Sequence, residues 1–137
     1  GSARPFAVDH PQDRLSRSAL GYTFCDTAGQ RAVFSGDTGP CAGLNHAARG
    51  VDLLVVECST PDHLATAGHM TVSQVGDLCA AARPQRTVLT HQYPAAAALD
   101  LAALLEQAGG LPRGKAHARA VVERALAGGP AGLEAVA

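Results

Sequence analysis

Two apolar runs of strand length in this chain stop on side chains that bind metals, and a third such side chain precedes a helical stretch. Ala32-Val-Phe-Ser-Gly-Asp37 and Thr87-Val-Leu-Thr-His91 are the two runs; Gly68-His69-Met70-Thr71 is the third motif. Parallel strands linked by helices open their carboxyl ends into one crevice, so an Asp and a His at two such ends converge. A hard carboxylate beside an imidazole suits a zinc-like or iron-like ion. This pattern restricts the chain to an open α/β sheet with its chemistry along one rim.

The rest of the sequence supplies the elements. Residues 4–9 have strand length, and the polar stretch 11–18 reads as a loop. Residues 19–25 and 31–35 flank a short connection containing Gly29 and predict an antiparallel pair. The Thr38-Gly39-Pro40 turn leads to a short helix over 41–49, stopped by Gly50. Residues 52–57 form a continuous apolar run, the signature of a strand covered on both faces. A polar loop over 59–70 holds His63 and His69, after which Thr71 caps a helix over 72–82 with Val75, Leu78, Cys79 and Ala82 on one face. Pro84 ends that helix and 86–90 is the next strand. Asp100 caps a helix over 101–108, where Leu101, Leu104, Leu105 and Ala108 form a helical stripe, and a last helix spans 116–127. The order, a β-hairpin and then αβαβα, predicts α/β architecture with helices packed on a mixed sheet. One domain over 3–127 is expected, with 128–137 an Ala/Gly-rich flexible tail. Gly1-Ser2 reads as the scar of a cleaved tag.

Composition excludes several classes. Ten Arg and Lys115 are spread along a chain of net charge −1, which lacks the basic face of a phosphate-backbone binder, so nucleic acid is not expected as a partner. No run approaches the length of a membrane span and no secretory signal opens the chain, so a soluble, cytoplasmic protein is expected. Cys25, Cys41, Cys58 and Cys79 form no CxxC pair and predict reduced, mostly buried thiols.

Taken in order, Val33-Phe-Ser-Gly-Asp37-Thr38, Asp52-Leu-Leu-Val-Val-Glu57, Gly68-His69-Met70-Thr71 and Val88-Leu-Thr-His91 resemble the carboxyl-terminal half of the metallo-β-lactamase fold, in the branch of ribonuclease Z and phosphodiesterase-like hydrolases. The resemblance covers residues 5–95. It implies that Asp37 bridges two metal ions and that His91 is a terminal ligand of one. It also implies that His69 is a proton donor or oxyanion stabiliser rather than a ligand. The cofactor it implies is Zn2+, two ions in the complete fold, with Mn2+ or iron as alternatives. A carboxylate has two oxygens and can span two cations, which one imidazole nitrogen cannot. Thr71 caps its helix.

The family's His-x-His-x-Asp-His motif, and a further His between it and the Asp, have no counterpart in these 137 residues; His10, His46, His63 and His117 fall in no such cluster. Asp37 and His91 alone are too few for a dinuclear site. Half of a two-sheet sandwich also leaves one apolar sheet face bare. A companion chain carrying the amino-terminal half, or a homo-oligomer, is therefore expected to cover that face. The expected activity is metal-dependent hydrolysis of a small phosphodiester or ester by metal-generated hydroxide; the alternative is a non-catalytic scaffold or oligomerisation module of the same fold. Glu57 ends a strand in the same crevice, as a partner to the site or a cap for neighbouring amides. His10 lies in a pocket wall or a surface turn, and Tyr93 contacts substrate or packs on the sheet edge. His46, His63 and His117 are surface residues.

Overall fold

The computed structural model describes residues 1–11 and 18–100. The helices expected at 101–108 and 116–127, His117, the tail at 128–137 and most of the loop at 11–18 lie outside the described residues. Five strands form one sheet in sequence order: β1 (Ser2–Ala7), β2 (Leu20–Cys25), β3 (Arg31–Phe34), β4 (Leu53–Glu57) and β5 (Arg86–Thr90). The β1–β2 and β2–β3 pairs are antiparallel, whereas β3–β4 and β4–β5 are parallel. Helix α1 (Ala42–Ala47) connects β3 to β4, α2 (Val72–Ala82) connects β4 to β5, and a single turn of helix, α3 (Pro94–Ala97), follows β5. Ser2 is part of β1, paired with Cys25, so the first strand starts earlier than the reading of 4–9 and ends earlier too.

Both crossovers step one strand in the same direction, and right-handed connections then send α1 and α2 to the same face of the sheet. The core lies there: Val33, Leu54, Val56 and Leu89 from the sheet meet Leu44 and Ala48 of the α1 segment and Val75, Leu78 and Cys79 of α2. Each fully buried Val or Leu among these contributes roughly 1.5–3 kcal/mol relative to exposure. Helix α2 follows its sequence signals closely. Thr71 caps it, and Gln74 returns the bond to the Thr71 N–H at 2.9 Å, completing a capping box.

The opposite face of the sheet has no helix on it among the described residues. Leu20, Tyr22, Phe24 and Phe34 are each about 40% exposed there, at 43%, 41%, 42% and 42%. The register sets Phe34 opposite Tyr22 on one side and Val55 on the other, with Val88 next in the same row. Phe24 and Phe34 meet edge to face at 5.5 Å. The run at 52–57 is thus not covered on both faces as its composition suggested: Leu54 and Val56 are buried while Leu53 and Val55 are half-buried. A continuous apolar run reports that both faces are made for burial, and among the described residues only one is occupied.

At the amino ends of the parallel strands Asp52 acts as a clamp. It accepts the Arg31 N–H and the Gln85 side-chain amide, both at 2.8 Å, and so ties β3, β4 and the start of β5 level. Levelling the strands here also levels their carboxyl ends, where the candidate site lies.

All four cysteines are free, Cys58 and Cys79 buried, Cys25 and Cys41 half-exposed. Burial, helped by the neighbouring Glu57 charge, pushes the Cys58 thiol up to about 12. Mass spectrometry after brief iodoacetamide treatment of the native chain at neutral pH is expected to show Cys25 and Cys41 alkylated and Cys58 and Cys79 intact. Alkylation of Cys58 as fast as Cys25 would mean that the core opens.

Candidate active site

Strands β3, β4 and β5 run the same way, so Asp37, Glu57 and His91 all emerge at one rim. β1 is antiparallel to β2, which is antiparallel to β3, so β1 also runs in this direction and delivers His10 to the same rim. That contribution escapes a reading that pairs only the second and third strands. Gly36 precedes Asp37 with a φ of +63°, a conformation that a side chain would strain, and this turns the Asp37 carboxylate into the opening. Gly68 has a φ of +78°, and a Cβ there would stand 2.0 Å from the Pro11 ring. The bare backbone lets the segment carrying His10 lie against the segment carrying His69.

Asp37 Oδ2 and His91 Nε2 are 3.6 Å apart, both partly open to solvent. Two ligands about 2.1 Å from one cation at a tetrahedral angle sit roughly 3.4 Å apart, so the pair has the bite of two ligands to a shared ion. Zinc takes three or four protein ligands. Among the described residues no group of three or more His, Cys, Asp or Glu side chains is placed to hold a metal. His91 itself has a φ of +53°, uncommon for a non-glycine residue; this directs its ring back over the rim.

Glu57 is the centre of the buried half of the site, at 1% exposure. Its Oε1 accepts the Thr38 N–H, its Oε2 accepts the Met70 N–H at 3.2 Å and the Ser59 hydroxyl, and His69 Nδ1 approaches the two oxygens at 3.1 and 3.2 Å. The Thr38 and Met70 N–H groups can only donate, so Glu57 accepts from both, and the His69 tautomer with its hydrogen on Nδ1 matches the same acceptor. The two roles read for Glu57 are one: it caps amides from two loops and by the same bonds fixes the imidazole. The Ser35 hydroxyl accepts the Glu57 N–H at 3.1 Å, a link between β3 and β4 that no motif flagged. The Thr38 hydroxyl accepts the Asp9 N–H at 3.0 Å, securing the end of the β1 segment to the Asp37 turn.

His69 is the hub of an imidazole cluster. Its ring is stacked on His91 at 5.3 Å between centroids, meets His10 edge to face at 5.3 Å, and leans on Tyr93 at 5.6 Å. Tyr93 also packs on His91 at 5.4 Å. His46 in α1 and His63 in the 3-10 turn at Asp62–Leu64 are exposed and stand outside the cluster. That turn interrupts the polar loop at 59–70 and anchors it to α2. The Thr71 hydroxyl, with the Ser73 hydroxyl and N–H, holds the Asp62 carboxyl below the usual range.

The sequence profile of the beta-lactamase superfamily domain matches residues 2–92. The chain belongs to that superfamily. Uncharacterized protein Rv1339 of Mycobacterium tuberculosis is 33% identical over 93 residues, covering 66% of this chain and 32% of that protein. Ribonuclease Z of Methanothermobacter thermautotrophicus is 33% identical over 67 residues, 46% of this chain and 22% of the enzyme. The chain therefore spans about a third or less of the length of these relatives. Among solved structures, the metallo-beta-lactamase fold protein YhfI of Bacillus subtilis superposes with a TM-score of 0.64 at 17% identity, covering 77% of this chain and 42% of YhfI. Human tRNase Z, short form, gives 0.55 at 23% identity, over 66% and 36% of the two chains. The sheet and helices are thus part of a metallo-beta-lactamase fold, and the family is one of metal-dependent hydrolases.

Proposed function

We propose that this chain carries the proton-transfer half, and part of the metal-binding half, of a metal-dependent phosphodiester or ester hydrolase. The observation that carries the reading is the convergence at one rim of two kinds of group. One is the Asp37–His91 pair with a ligand bite; the other is an imidazole, His69, pinned by a buried carboxylate. Asp37 and His91 would hold the cation, Zn2+ first, with Mn2+ or iron as alternatives, and the remaining ligands come from a companion chain or a further segment of the fold. When bound, such ions supply an activated water and neutralise charge on the phosphoryl or acyl oxygen. Glu57 holds His69 with Nδ1 committed inward, so Nε2 faces the opening. In the acid form Nε2–H gives its proton to the departing oxygen as the bond to phosphorus or the acyl carbon breaks, and solvent restores it. Glu57 keeps the imidazolium oriented throughout.

The substrate class includes RNA. Scattered charge does not exclude it, because relatives that match nearly half of this chain are named ribonuclease Z. Among the described residues no helix is long and apolar enough to cross a membrane, and four free thiols suit a reducing, cytoplasmic setting. The open sheet face is covered in the working protein by the amino-terminal half of the fold or by a second copy.

Metal binding tests the reading. Calorimetric titration with Zn2+ is expected to show binding that weakens about tenfold or more in Asp37→Ala and in His91→Ala. His10→Ala in the same series decides whether the third imidazole at the rim joins the donor set. Unchanged affinity in both Asp37→Ala and His91→Ala would leave the second reading, a scaffold that keeps the fold without a working centre. The two-donor count among the described residues is the observation that favours it.

A further inference from the structure

His69 is held on both edges. Glu57 occupies Nδ1, and on the far edge the Tyr93 hydroxyl lies 3.4 Å from Nε2, the nitrogen that faces the opening. Tyr93 reaches this position by a backbone that is itself tied to the site. Its N–H donates to the Ser59 carbonyl at 3.0 Å, and the Ser59 hydroxyl bonds Glu57. Its carbonyl accepts the N–H groups of Ala96 and Ala97, each at 2.9 Å, which makes it the cap of α3. The left-handed turn at His91 then places the His91 and Tyr93 side chains on the same side, both against the His69 ring. These main-chain bonds fix where the Tyr93 side chain starts, and the hydroxyl contact fixes where it ends.

We propose that Tyr93 is a positioning residue for His69, fixing the ring edge that meets the leaving group; this rests on the hydrolase reading for its purpose but not for its test. The chemistry of a hydroxyl suits the task. A phenol both donates and accepts, so it keeps its bond to Nε2 whether that nitrogen bears a hydrogen or a lone pair. A neutral amide, a carboxylate or an ammonium would each be restricted by its fixed donor and acceptor atoms. Tyr93 is 39% exposed, so the hydroxyl borders the space through which a leaving oxygen must come. The approaching oxygen replaces it on Nε2, and the hydroxyl returns to Nε2 on departure. Glu57 behind and Tyr93 in front thus contact the two nitrogens on opposite edges of the imidazole.

Long-range 1H–15N correlation spectra of the labelled full chain, native and Tyr93→Phe, test this. The phenylalanine ring keeps the packing on His69 and His91 and removes only the hydroxyl. The expected result is a His69 Nε2 resonance that moves toward the value of a free imidazole nitrogen in Tyr93→Phe, while the Nδ1 resonance and the thermal midpoint stay put. An Nε2 resonance identical in the two proteins overturns the proposal, as does a change confined to the thermal midpoint. Because neither readout involves metal or turnover, a failed Zn2+ titration would count against the hydrolase reading and leave this result standing.

Discussion

Glu57→Ala is expected to lower the unfolding free energy by about 3–5 kcal/mol, the cost usual for stripping one partner from a buried charged network. The size follows from what the carboxylate satisfies. Its removal leaves the Thr38 and Met70 N–H groups without acceptors in a site that is closed to solvent. Each buried unsatisfied donor costs roughly 1–3 kcal/mol, before the loss of packing and of the His69 contact is counted. Typical domains have only about 5–15 kcal/mol in total, so the variant lies near the edge of folding. Urea denaturation should show a lower midpoint at unchanged slope. Ser59→Ala, which removes one donor and leaves the acceptor satisfied by three others, is expected to cost only about 1 kcal/mol. A Glu57→Ala loss as small as that of Ser59→Ala would mean that the carboxylate is not the keystone of this rim.

The chain alone is expected to associate through its open sheet face. Leu20, Tyr22, Phe24 and Phe34 stand about 40% exposed in one patch with Val55 and Val88. Completing their burial contributes roughly 1 kcal/mol per side chain on area alone, counted on both partners of a self-complementary contact. Light scattering after gel filtration at micromolar concentration should report a dimer or larger. Introducing Phe24→Lys with Phe34→Lys places two charges in the middle of the face. Association should then weaken at least about a hundredfold, or ~2.7 kcal/mol, with an unchanged far-ultraviolet circular dichroism spectrum. A well-folded native monomer would sink this expectation.

Much of the fold was legible because it is locally encoded. The alternation of Leu20, Tyr22 and Phe24, the Asp26–Gln30 turn signals and the Thr71 cap each act within a few residues, and β2, β3 and α2 follow them closely. The short α3 went unread because a four-residue helix of Pro and Ala carries no periodicity to detect. The run at 52–57 showed the converse: composition declared both faces fit for burial, yet which face is filled depends on where α1 and α2 pack.

For the site the division has the same origin. Runs that end on Asp37 and His91, and a His just ahead of a helix cap, are one-dimensional patterns, and parallel-strand geometry makes them converge. Sequence alone therefore determined the α/β order, the rim and four of the side chains placed there, Asp37, Glu57, His69 and His91. Only the tertiary structure decided that Glu57 ties four donors together, that Tyr93 closes the far edge of His69, and that His10 joins the cluster. Apart from the Ser59 bond, two positions from Glu57, those contacts join residues 12 to 59 positions apart, and no local propensity records such a separation. They arise from the direction of β1, the bare backbone at Gly68 and the turn at His91, which bring distant side chains to one point in space.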